Sequence, residues 1–353
     1  MEILAALLAS ASLASAGMPS VSTTPPAASA TAAVPALSTA AADVEVTLSA
    51  AGDIRLSGPI ADIARESGDE APSKAVKELL AADIVFANLE TPITERGAKT
   101  PKTWNFRSKP RDLKIVRAAG INVVNIANNH VWDYGLEGFE DTLKYLEKDG
   151  WTYVGGGRDR AAAEEVRLFK FEGLTVGIVG LTSTHPEAAW AGRNKPGVAY
   201  SDFDRMGEIV GRAKARCDVL IVSFHGGTEL AEDANDIQKA VAHAAIDGGA
   251  DLFLGHHPHV IQPIEIYKGK PILYSLGNFL FVSPTPTTRP EIIVRARLGK
   301  DGVRRLDLIP LDGNWGRPKA ASVEISSAAR SALDRLGALE ARPDLLHFGA
   351  ETR

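Results

Sequence analysis

Apolar, β-branched runs recur along the chain at Val44–Leu48, Ile84–Phe86, Val123–Ile126, Leu174–Leu181, Val219–Phe224, Leu252–Leu254 and Ile272–Tyr274. They are short and mostly continuous rather than alternating, which is the pattern of strands covered on both faces. Helical spacing appears between them. Pro110–Ala119 carries Pro at its start and Gly120 past its end, Leu136–Asp149 is closed by Gly150, and Asp236–Asp247 is stopped by Gly248-Gly249. Strand and helix in alternation predict an α/β fold, layered, with helices flanking the sheets. Ile292–Leu298 and Val303–Ile309 bracket Asp301-Gly302 as a β-hairpin, so the sheets are expected to be mixed.

The two ends of the chain read differently. No residue from Ile3 to Ala42 is charged, and Ile3–Leu13 is apolar enough for the core of a secretory signal peptide, with Ala14-Ser15-Ala16 as a small-x-small cleavage site. Glu2 is the only charge ahead of that core, so a positive leading segment is missing and a disordered Ala-rich tail is the alternative. Residues 1–16 are therefore expected to direct export to the periplasm or cell envelope. Residues 17–42, almost entirely Ala, Pro, Ser and Thr, read as a linker that cannot bury enough apolar surface to fold. The folded domain is expected over 43–314, followed by an extension over 315–353 in which Ser322–Leu339 forms a peripheral helix.

Composition narrows the chemistry. The 353 residues are 45% hydrophobic and 24% charged, ordinary globular usage. Acidic residues outnumber basic ones 44 to 39, and the net charge of -5 argues against a nucleic-acid partner bound through a broad basic surface. With Cys217 as its one cysteine, the chain can form neither an internal disulfide nor a thiolate zinc cage. Any metal must be held by His, Asp, Glu or Asn.

Such residues stand directly after the predicted strands: Asp53, Glu90, Asn128-Asn129-His130, His225, and His256-His257-Pro258-His259. Ligands of α/β sheets collect outside the carboxyl ends of strands, so side chains far apart in sequence would meet in one crevice. Imidazole, carboxylate and amide oxygen together suit divalent manganese, iron or zinc. Taken singly, Asp53 reads as a turn residue and Glu90 as a surface charge, and His225 equally as a residue that satisfies backbone groups. The His257-x-His259 pair is the strongest element, because an extended segment would put both imidazoles on one side. Arg107 reads equally as a clamp for phosphate or carboxylate and as a surface salt bridge. Asn88, Asn128 and Asn278, beside these strand ends, are expected to help bind substrate.

The order of Ala51-Gly52-Asp53, Ala87-Asn88-Leu89-Glu90-Thr91-Pro92-Ile93, Asn105-Phe106-Arg107, Ala127-Asn128-Asn129-His130 with Asp133-Tyr134-Gly135, Gly255-His256-His257-Pro258-His259 and Ser275-Leu276-Gly277-Asn278-Phe279 resembles the CapA family of bacterial capsule-synthesis proteins. That family is associated with poly-gamma-glutamate, and its domain is related to calcineurin-like metallophosphoesterases. The resemblance runs from Val46 to Val282 and implies a layered metallophosphoesterase-like domain holding two divalent ions. It implies Asp53 and His259 at the first metal, Asn129, His225 and His257 at the second, Glu90 between them, and His130 as the general acid. Two such ions would activate water and clamp the attacking and leaving oxygens of an anionic substrate.

Departures are specific. The relatives carry His two positions after the first Asp, where this chain has Arg55, which leaves the first metal a ligand short. The family usually has His-Trp-Gly where this chain has His225-Gly226-Gly227. Two readings of function follow: a metal-dependent hydrolase of a phosphoester or an acidic polymer, or a component of a membrane-bound capsule complex that binds polyanion without cutting it. A cytosolic small phosphatase is a third reading if the N-terminus is not a signal.

Overall fold

The computed structural model describes residues 44–282 and 285–349; the leader expected over 1–16 and the linker over 17–42 lie outside the described residues. The described residues belong to a single unit. Its strands are, in chain order, β1 (Val46–Ile54), β2 (Ile84–Leu89), β3 (Val123–Asn125), β4 (Thr152–Val154), β5 (Gly156–Gly157), β6 (Arg167–Phe171), β7 (Leu174–Thr182) and β8 (Gly197–Val198). There follow β9 (Val219–His225), β10 (Leu252–His256), β11 (Ile264–Tyr267), β12 (Lys270–Leu273), β13 (Pro290–Gly299), β14 (Gly302–Asp312), β15 (Lys319–Ala320) and β16 (Leu346–Phe348). The helices are α1 (Pro59–Ser67), α2 (Lys77–Leu80), α3 (Leu113–Ala118), α4 (Gly135–Lys148), α5 (Arg160–Ala163), α6 (Phe203–Lys214), α7 (Asp236–Asp247), α8 (Val323–Leu333) and α9 (Ala338–Ala341).

Two mixed sheets carry the fold. One runs β15-β14-β13-β1-β2-β3-β4 with β16 beside β14, the other β11-β12-β10-β9-β7-β6. The period of two along each strand decides which layer each side chain enters. Val46, Leu48 and Ala50 of β1 meet Val176 and Ile178 of β7 and Val219 and Ile221 of β9 in the core between the sheets. The opposite faces are covered by helices: Val85 and Ala87 of β2 pack with Ile60 of α1, Ile115 of α3 and Phe139 of α4. Leu220 and Val222 of β9 pack with Ile209 of α6 and Val241 of α7. With both faces of each sheet dry, continuous apolar runs are what these strands require.

The predicted hairpin is β13 and β14, paired antiparallel, and β1, β2 and β3 are parallel neighbours. At Pro110 the chain makes a single 3₁₀ turn over Pro110–Asp112 before α3 begins, so the helix is shorter than its apolar spacing suggests. The segment beyond 314 is woven into the first sheet through β15 and β16, and α8 buries Ala329 and Leu333 against it.

Candidate metal centre

The central strands of both sheets end on one side, and the polar residues that follow them converge there. The meeting depends on Gly52, because a Cβ at that position would lie 2.1 Å from the Gly277 carbonyl oxygen. Without it, Asp53 N–H donates to the Gly277 carbonyl at 3.0 Å and Phe279 N–H to the Asp53 carbonyl at 2.9 Å. The Ala-Gly-Asp and Gly-Asn-Phe motifs are therefore zipped side by side. Gly180 of β7 does the same for Asn125: a Cβ there would sit 2.2 Å from Asn125 Oδ1.

Asp53 and Glu90 are both fully buried. His225 Nε2 lies 3.3 Å from Glu90 Oε1, and His259 Nε2 lies 3.9 Å from Glu90 Oε2 and its Nδ1 3.4 Å from Asp53 Oδ2. His225 and His257 rings are 4.8 Å apart. Two groupings have ligand atoms close enough to share an ion: Glu90 with His225 and His257, and Asp53 with Glu90 and His259. Asn129 Oδ1 reaches His225 Nε2 at 2.8 Å and so joins the first grouping. All six residues that the sequence points to as ligands thus stand together.

The route to that geometry differs from the extended His-x-His expected. β10 ends at His256, and His257 and His259 take φ values of 100° and 60°, in the left-handed region that costs a side-chain-bearing residue energy. A tight bend, rather than a pleat, aims both rings at the cluster. The bend is pinned by the His257 N–H, which donates to Asp53 Oδ2 at 3.1 Å.

Asn88, Asn128 and Asn278, expected to bind substrate, stand instead behind the ligands, each at most 1% exposed. Asn88 Oδ1 accepts from Asn125 and Asn128 at 3.0 and 3.3 Å, which turns its amide group toward Asp53 Oδ1 at 2.8 Å and His225 Nδ1 at 3.0 Å. Asn278 Oδ1 is 2.9 Å from His259 Nδ1. Asn128 braces the turn, its Oδ1 accepting from the His130 and Val131 N–H groups at 3.1 and 2.9 Å. Partners of this kind fix ring orientation and tautomer. Arg107 is exposed and stacks on Tyr134, its guanidinium carbon 4.4 Å from the ring centre.

His130 is held by groups that sequence reasoning did not assign. Its Nδ1 is 2.7 Å from Asp133 Oδ2, its ring stacks on Phe106 at 3.8 Å, and Lys102 Nζ reaches Asp133 Oδ1 at 2.6 Å and the Asn129 carbonyl at 2.8 Å. The three-residue spacing from His130 to Asp133 was a usable signal; nothing in the sequence marked Lys102. With Nδ1 engaged by Asp133, Nε2 is the nitrogen left to exchange a proton.

Electrostatics favour a cation here. Burial, with Asp53 and Glu229 adding repulsion, pushes the Glu90 carboxyl well above its usual range. Burial pulls Asp53 up as well, but the hydrogen bond and charge of His256, with His259 and Asn88, outweigh it and hold Asp53 below the usual range. Burial and the neighbouring imidazoles push His225 well down and His257 down to about 3. Burial also lowers His130, against the opposing pull of Asp133. Both Glu90 oxygens and His257 Nδ1 are buried without a hydrogen-bond partner. Buried orphans among neutral imidazoles are a donor set in need of a positive charge, and the mixture fits a divalent ion.

Residues 47–283 match the profile of the family described as Bacterial capsule synthesis protein PGA_cap. The chain is 33% identical over 263 residues to the PGA biosynthesis protein CapA of Bacillus subtilis (strain 168), covering 73% of this chain and 69% of that protein. It is likewise 33% identical over 246 residues to the capsule biosynthesis protein CapA of Bacillus anthracis, covering 67% of this chain but only 60% of the relative. Among solved structures it is similar to the calcineurin-like phosphoesterase YfkN of Bacillus subtilis, at a TM-score of 0.42 and 15% identity, over 79% of this chain and 89% of that one. The NAD nucleotidase of Haemophilus influenzae matches at a TM-score of 0.43 and 13% identity, over 86% of this chain and 57% of that one.

Proposed function

From the premise that the chain belongs to the bacterial capsule synthesis protein family PGA_cap, we propose that its buried centre is a metal-dependent hydrolase site for a phosphoester or an amide-linked acidic polymer of the poly-gamma-glutamate kind. The observation that carries this reading is Glu90, whose two oxygens are buried without a hydrogen bond while His225, His257, His259 and Asp53 surround them. Asp53, Glu90, Asn129, His225, His257 and His259 would hold one or two divalent ions of manganese, iron or zinc. Such ions, when bound, supply an acidified water and a positive field for an anionic substrate.

The chain's own residues supply the rest. His130, oriented by Asp133 and Phe106, donates a proton from Nε2 to the leaving group. Lys102 neutralises Asp133, so the pair is not left as a buried unpaired charge. Asn88 and Asn278 hold the His225 and His259 imidazoles in place, which keeps that part of the site from relaxing when substrate arrives. The same reading places the protein in the cell envelope, beside a membrane-bound capsule complex whose acidic polymer it processes.

The experiment that tests it is elemental analysis of chain purified without chelator, followed by a screen of phosphoesters and γ-glutamyl polymers. Bound manganese, iron or zinc with turnover supports a hydrolase. Bound metal and polymer binding without turnover supports the second reading, a polyanion-binding component, which Arg55 in place of a further imidazole favours. No bound metal after reconstitution sinks both the hydrolase and its mechanism.

A further inference from the structure

Arg55 follows Asp53 by two residues, and its N–H donates to the Leu280 carbonyl at 2.9 Å, which fixes it against the segment carrying Phe281. Its guanidinium carbon lies 4.7 Å from the Phe106 ring centre and 4.6 Å from that of Phe281. These rings are edge to face at 5.8 Å, and each also touches a site imidazole: Phe106 stacks on His130 at 3.8 Å and Phe281 lies 4.6 Å from His259. The guanidinium is therefore wedged by the aromatic pair that walls the centre, beside both the proton donor and a metal-binding imidazole.

Its hydrogen bonding is incomplete. Nη2 donates to the Val282 carbonyl at a long 3.3 Å, whereas Nε is buried with no acceptor. Among the described residues Arg55 forms no ion pair, although Glu90 is near enough to feel its charge. Lys102, the other cation beside His130, is occupied by Asp133 and Asn129, whereas Arg107 is exposed and lies on the face of Tyr134. A planar cation held by two aromatic faces, partly desolvated and short of acceptors, is preorganised for a two-oxygen anion.

We infer that Arg55 receives the anionic group of the substrate, a phosphate or carboxylate, at the lip of the centre, so that the residue standing where a further imidazole is expected selects substrate instead of binding metal. This rests on the proposed site for its location but not on turnover. The aromatic walls explain why an arginine is needed: a lysine would keep the charge and lose both the stacking and the fork of donors.

The test uses the full chain reconstituted with manganese and follows binding of inorganic phosphate and of a γ-linked triglutamate by calorimetry, with bound manganese measured in parallel. Arg55→Gln is expected to weaken whichever probe wild type binds by about 10-fold or more, Arg55→Lys to recover only part of that, and manganese content to stay at the wild-type level. Unchanged anion affinity in Arg55→Gln, or a loss seen in Arg107→Gln instead, overturns the assignment, as does an equal loss of manganese. Should the variant fail to fold, phenylglyoxal modification of wild type decides: phosphate or triglutamate must slow modification of Arg55, and no protection by either overturns the inference. Wild type that binds anion through Arg55 and hydrolyses nothing leaves this inference standing while the hydrolase reading falls.

Discussion

Two glutamates, Glu90 and Glu291, are buried to 0% and 1% exposure, and burial drives both carboxyls well above their usual range. Both also carry an oxygen without a hydrogen-bond partner. By burial and titration alone they are the same residue. Their neighbours separate them: Glu90 faces His225 and His259, while Glu291, on β13, has among the described residues the like charge of Asp312 beside it, and Asp312 is already held by Arg289 at 2.7 and 2.9 Å. A perturbed carboxylate becomes a candidate site only when other ligands converge on it. Glu291 is instead a conflict that the fold tolerates.

The largest effect should come from removing Glu90 from its set. Glu90→Gln keeps the shape and loses the only side chain common to both ligand groupings, so metal affinity should fall by more than the roughly 10–100-fold typical of losing a supporting hydrogen bond. His257→Ala should do likewise, and Glu291→Gln should leave metal content unchanged. Elemental analysis of the three variants measures this, and equal metal in all of them would erase the distinction between the glutamates.

A smaller but more selective effect is expected at His130. Its ring touches Asp133 and Phe106 and belongs to neither ligand grouping, so His130→Ala should keep bound metal and lower turnover about 10²–10⁴-fold on any substrate that the wild type cleaves. Asp133→Asn should lower turnover less and shift its pH profile, because the imidazole loses the carboxylate that opposes its burial. Metal loss in His130→Ala would move this residue into the ligand set.

What could be read in the sequence divides along similar lines. The layers were legible because strands dry on both faces must be continuously apolar, and the ligands because each sits at the end of such a run. Arg107 stayed open between two readings, and the asparagines were expected at the substrate, for one reason: sequence order says which residues reach a crevice, not which stand in front and which behind. Asn88, in line with the ligands by position, turns its amide to Asp53 and His225 and lies wholly inside. Arg55 had been marked only by the imidazole it lacks. Its two aromatic partners, Phe106 and Phe281, come from distant segments that only the folded sheets bring together.

The pH response of chelated protein should expose the imidazole half of the comparison. His257 is held neutral down to about 3, whereas in the unfolded chain it takes up a proton near pH 6.5. The unfolded state then binds more protons below that value, so stability is fully present above about pH 6.5 and falls as pH drops toward 3. His225 shifts in the same direction and adds to the loss. Thermal midpoints of the chelated wild type should decline across this window, and His257→Gln should flatten the decline; an identical slope in the variant would contradict the burial of a neutral imidazole.

The smallest effect, at Glu291, has the opposite sign. A carboxyl whose folded value is raised is protonated in the native state at pH values where the unfolded chain has released the proton. Its contribution is therefore present below the usual carboxylate range and lost as pH rises through it. Glu291→Gln keeps a neutral side chain of the same shape and removes that linkage, so at pH 8 the variant should be more stable by about 1 kcal/mol, a shift of a few degrees in thermal midpoint. At pH 4, where wild type is also mostly protonated in both states, the gain should nearly vanish. A gain of equal size at both pH values would mean that the substitution acts through a hydrogen bond of the new amide rather than through the buried proton.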